Sequence, residues 1–75
     1  MKAIITKYHG PGNVKGSRIS ASDMDGNRVI VSYNCALDSE ENHAFAARAL
    51  INKMGWKGNI AGGAIKEGYA WVFVD

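Results

Sequence analysis

The residues able to do chemistry are few and scattered. The 75-residue chain has two histidines, His9 and His43, and one cysteine, Cys35. His9 falls in a glycine-rich loop and His43 in a helix, so no zinc-ligand spacing arises. No Ser-His-Asp arrangement can be argued either, because nothing in the sequence brings such groups together. Asp23-Met24-Asp25-Gly26-Asn27 has the composition of a calcium loop. An EF-hand loop, however, wants glycine at its sixth position, where Arg28 stands, and glutamate at its twelfth, where Asn34 stands. Its neighbours are strands, so it reads as a hairpin turn. Gly10-Pro11-Gly12-Asn13-Val14-Lys15-Gly16-Ser17 holds the ingredients of a phosphate-binding loop in the wrong order: Lys15 precedes Gly16, and a strand follows where a helix is required. Beside the reading of an ordinary connection, a looser role survives, with free amides and Lys15 near the tip touching a phosphate backbone. The expectation is of no enzyme, no metal and no cofactor.

Charge narrows the partner. Nine basic residues stand against seven acidic, a net charge of +2. That is too little to imply nucleic acid unaided. The distribution says more, because no acid precedes Asp23, whereas Lys2, Lys7, His9, Lys15 and Arg18 are basic. The N-terminal third is therefore the positive end. A lone cysteine fits a reducing, cytosolic compartment, where it acts as a small hydrophobe. The opening MKAIITKYHG has too short an apolar run for a signal peptide, and no segment reaches membrane-spanning length. The length implies one domain, residues 1–75, with a thin core that buries about 60–65% of the extended-chain surface.

The stretch that must position everything else is DSEENHAFAARALINKMG, Asp38 to Gly55. Asp38 with Glu41 three residues on is a capping box, and Glu40 and Glu41 suit the positive helix end. Alanines at 44, 46, 47 and 49 favour helix and keep it slim. Lys53 suits the negative end, and Gly55 stands where a left-handed residue closes a helix, with Trp56 folding back towards Ile51. Ala46, Ala47, Leu50 and Met54 form one apolar stripe, with His43 and Ile51 at its margins. Phe45 falls on the far side among Glu41, Arg48 and Asn52, either covered by a loop or exposed as a contact residue.

The remainder reads as strands. Residues 2–8 put Ile4, Thr6 and Tyr8 on one face and Ala3, Ile5 and Lys7 on the other. Residues 17–22 point Ile19 and Ala21 inward and Arg18, Ser20 and Ser22 outward. Asp25-Gly26 turns the chain into NRVIVSY, with Val29, Val31 and Tyr33 on one face and Arg28, Ile30 and Ser32 on the other. After the helix, Lys57-Gly58 leads into NIAGGAIK, where Gly62-Gly63 suggests a bulge or a close backbone approach. Glu67-Gly68 turns into YAWVFVD, with Tyr69, Trp71 and Phe73 on one face and Ala70, Val72 and Val74 on the other. The order is β-β-β-α-β-β, an α+β domain with an antiparallel sheet of about five strands. A single helix covers one face, and the other is free for function.

Tyr69, Trp71 and Phe73 have two readings. They fill the core, or, if Ala70, Val72 and Val74 meet the helix, they stand on the open face to stack on bases or bury against a protein. Taken whole, the chain resembles small uncharacterised proteins encoded by phages, prophages and plasmids of proteobacteria. The features are the opening MKAIITKYHGPGNVKGSRISASDMDGN, the ALDSEENHAFAARAL segment, and KMGW followed by a glycine stretch and GYAWVFV. The resemblance implies a mobile-element accessory protein of the bacterial cytoplasm and carries over no site residue. The expectation is a non-catalytic binder. Nucleic acid is the first partner, through Lys7, Lys15 and Arg18 with Tyr69 or Trp71 stacking. The alternative is an inhibitor of host or antiviral-defence machinery, anti-CRISPR-like, contacting its target through Phe45 and Arg48. The oligomeric state is left open.

Overall fold

The computed structural model describes residues 3–10 and 16–74. The elements are β1 (Ala3–His9), β2 (Arg18–Ser22), β3 (Arg28–Ser32), α1 (Ser39–Met54), β4 (Asn59–Ile65) and β5 (Gly68–Val74). Every strand pair is antiparallel, and the sheet order is β3-β2-β1-β5-β4. This is the α+β architecture that the alternation and turn signals imply. After the β1-β2-β3 meander, α1 carries the chain from one edge of the sheet to the other. The β4–β5 hairpin then lays β5 beside β1.

Both helix ends form as the residue types dictate. Asp38 Oδ1 accepts from the Glu41 amide at 2.8 Å, and Glu41 Oε1 accepts from the Asp38 amide at 3.2 Å. Gly55 is left-handed at φ 74°, and the Trp56 amide donates to the Ile51 carbonyl at 3.1 Å. Asn42, outside the apolar stripe, is nonetheless buried. Its side chain accepts from the Asn34 amide at 2.7 Å and donates to the Asn34 and Asp38 carbonyls at 2.9 Å each. It thus fastens the β3–α1 connection to the first helical turn.

The pairing register decides the faces. Ile4 lies opposite Trp71, Thr6 opposite Tyr69 and Ala21, and Ile19 opposite Val31. These residues share the side on which α1 lies, and the core comprises Ile4, Ile19, Ala21, Trp71, Ala46, Ala47, Leu50 and Ile51. Tyr69, Trp71 and Phe73 therefore take the helix side, which corrects the placement of Tyr69 and Trp71 as stacking residues on an open face. The reason is steric: the alanines at 46 and 47 leave a shallow helix surface, and large rings fill the space beneath it. Trp71 also covers Gly62 on the neighbouring strand, where a Cβ would run into the indole ring. That close approach explains the glycine. No bulge is needed, since the β4–β5 register is continuous from Asn59 to Ile65.

Candidate binding face

Among the described residues, each histidine meets a hydroxyl, and both pairings are hidden from the sequence. In the core, Thr6 Oγ1 lies 2.7 Å from His43 Nδ1, and Trp71 Nε1 donates to the same oxygen at 3.0 Å. The Tyr69 carbonyl lies 3.4 Å from the Thr6 hydroxyl. Two proton arrangements satisfy this cluster: Thr6 donates to His43, or His43 donates to Thr6, whose hydroxyl then turns to Tyr69. Burial pushes the His43 imidazole below its ordinary pKa, opposed by the Thr6 backbone. The Tyr69 ring leans on His43 with centroids 4.6 Å apart. On the other side of the sheet, His9 Nε2 lies 2.9 Å from Ser20 Oγ. Thr6 and Ser20 are both buried, so neither hydroxyl is presented to a substrate.

The uncovered face can be read row by row from the register. One row runs Ser32, Arg18, His9; the next Ile30, Ser20, Lys7, Gly68, Ile65; the third Arg28, Ser22, Ile5, Ala70, Gly63. Arg18, Lys7 and Arg28 thus stand on three successive rows, spaced about 7 Å apart along the strands. His9 lies directly opposite Arg18. Among the described residues, no strand position on this face carries a carboxylate. Glu67, from the β4–β5 turn, reaches it, with Oε2 2.8 Å from Lys7 Nζ. Lys7 in turn holds the Glu67 carboxyl below its usual range, by hydrogen bond and by charge. Arg18 Nε is buried with no hydrogen-bond partner. Between the charges the face is aliphatic, with Ile30, Ile65 and Val74 exposed.

Of the expected nucleic-acid residues, Lys7 and Arg18 share this face, and Lys15 lies outside the described residues. Tyr69 and Trp71 are on the opposite side, with Trp71 only 6% exposed, so no indole is available to a base there. Arg28 and His9 join the face without having been expected as site residues. Arg28 follows the acids of the β2–β3 turn in sequence, and only cross-strand pairing with Ser22 returns it to the basic side. The alternation Arg28, Ile30, Ser32 carried that signal.

On the helix, Phe45 is 55% exposed. One turn further, Arg48 stands with Asn52 on one wall of a groove of about 300 Å³, whose other wall is Asn59 and Ile60 of β4, with Trp56 between. Asp23, at the β2–β3 turn, is engaged in the turn itself: Oδ1 accepts from the Asp25 and Asn27 amides at 2.9 Å each, and Oδ2 accepts from Asn27 Nδ2 at 2.8 Å. Among the described residues, no three His, Cys, Asp or Glu side chains gather as metal ligands. Nor is any helix among them long and apolar enough to cross a membrane. Comparison with known proteins found no matching family model, no matching curated protein and no matching solved structure.

Proposed function

We propose that this chain is a non-catalytic binding protein whose open sheet face holds the phosphate backbone of a nucleic acid. The observation that carries the reading is the alignment of Arg18, Lys7 and Arg28 on successive rows of one uncovered face, with His9 beside Arg18. Phosphate contacts of this kind fix position and carry no base information, so binding is weak, salt-sensitive and largely indifferent to sequence. Stacking makes no contribution, because the β5 aromatics lie under the helix and the open face offers aliphatic side chains instead. The resemblance to mobile-element proteins adds a setting, the cytoplasm of a bacterial host. The test is an oligonucleotide titration in which Arg18→Glu and Arg28→Glu each weaken binding.

A protein partner is the second reading, and the exposure of Phe45 favours it. A large ring standing in water on a helix, one turn from Arg48 and its groove, is the kind of residue that anchors an interface. In that reading the chain inhibits a host or antiviral-defence protein. Phe45→Ala would then abolish capture of the target, while the two charge reversals on the sheet would leave it intact.

A further inference from the structure

The two edges of the sheet are protected very differently. β3 is short, five residues, and carries the charged Arg28. Lys53 reaches down from the helix and donates to the Arg28 carbonyl at 2.9 Å, so that edge is partly capped. β4 is seven residues, NIAGGAI, without charge or proline, and every residue but Ile60 is exposed. The helix lies chiefly over β1, β2 and β3 and leaves β4 largely bare. A long, flat, uncharged edge is a template for another strand, and proteins ordinarily blunt it with lysine, proline, a bulge or a covering element. β4 has none of these.

We infer that β4 pairs antiparallel with β4 of a second copy across a two-fold axis at Gly62, joining two sheets into one. The register follows from geometry. A two-fold perpendicular to the sheet keeps each face on its own side, so one residue must lie directly opposite its own copy across the axis. Placing it at Gly62 matches Asn59 with Ile65, Ile60 with Ala64 and Ala61 with Gly63 of the second copy, which uses the whole strand. The strand centre carries no bulk, because the Trp71 indole already occupies the helix side of Gly62 in each copy. An uncharged strand does not repel its own image, whereas a foreign strand would find no charge by which to be selected. Just beyond the strand, the same register sets Lys57 of each copy at the end where the Lys66-Glu67 turn of the other lies. Since the β3 edge is partly capped, assembly closes at the dimer instead of running on as a filament. The open faces become continuous, although the inference does not depend on what that face binds.

The experiment is sedimentation equilibrium of the full chain from micromolar to near-millimolar concentration. Wild type is expected to rise to twice the monomer mass. The double variant Ala61→Lys/Ala64→Lys, altered at two exposed positions, is expected to stay monomeric, with an unchanged thermal midpoint at concentrations where the wild type is itself monomeric. In a Cys35→Ser background, Ala61→Cys should cross-link through a short bismaleimide, since the two Ala61 Cα atoms, offset by two residues along neighbouring strands, would lie about 8 Å apart. Ser32→Cys, on the β3 edge, should not. A wild-type chain that stays monomeric throughout overturns the inference. So does a dimer that survives both lysines, or one that cross-links through Ser32→Cys.

Discussion

Trp71 Nε1 donates a 3.0 Å hydrogen bond to Thr6 Oγ1, and this contact assigns the two sides of the sheet. Once the indole N–H is satisfied by a buried hydroxyl of the neighbouring strand, Tyr69 and Phe73 must share its side, and the basic residues of β1 to β3 keep the other. Thr6→Val preserves shape but leaves the Trp71 N–H unpaired and deprives His43 Nδ1 of its partner. Leaving such buried groups unsatisfied costs about 1–3 kcal/mol. Urea unfolding should show a loss in that range, and stability equal to wild type would mean that the bond contributes nothing.

The same cluster sets a pH dependence. Burial holds the folded-state pKa of His43 below its unfolded value of 6.5. The unfolded chain therefore takes up the proton first, and stability falls as the pH drops from about 6.5 towards the folded-state pKa. Above that window His43 contributes no pH dependence. His43→Gln should flatten the difference in thermal midpoint between pH 7.5 and pH 5.5. Identical pH profiles for variant and wild type would remove His43 as the cause.

Two glycines should respond differently to the same change. At Gly55 a Cβ meets nothing within 4 Å, so Gly55→Ala suffers only from its φ of 74°, at about 1 kcal/mol. At Gly62 a Cβ meets the Trp71 ring, so Gly62→Ala must displace a core residue and should cost clearly more. Equal losses in denaturant titration would show that the indole gives way freely.

Helix sidedness makes a fourth comparison. Leu50 is fully buried, and Leu50→Ala should cost about 2–4 kcal/mol, enough to leave so small a domain largely unfolded. Phe45→Ala, at an exposed ring, should stay within about 0.5 kcal/mol of wild type. Comparable losses at the two positions would place Phe45 in the core and remove the best residue of the protein-partner reading.

The elements were legible because their signals are local. Asp38, Glu41 and Gly55 specify the helix ends through contacts within a few residues, and strand alternation gave two faces for every strand. What alternation does not say is which face of each strand meets the helix. That depends on register between strands far apart in the chain, such as Ile4 with Trp71, separated by most of the sequence. Hence alternation could not decide between the two readings of Tyr69, Trp71 and Phe73, nor show that Lys7, Arg18 and Arg28 share one face. The pairing of His43 with Thr6 and of His9 with Ser20 was invisible for the same reason.

The most direct measurement is fluorescence-anisotropy titration of labelled single- and double-stranded oligonucleotides at two salt concentrations. With phosphate contacts from Lys7, Arg18 and Arg28, log K should fall with log salt at a slope of about −2 to −3, the shallower value applying to single strands. Arg18→Glu and Arg28→Glu should each abolish most of the affinity, and changing the base sequence should alter it little. No binding at the lowest salt, or binding indifferent to both charge reversals, would contradict the account.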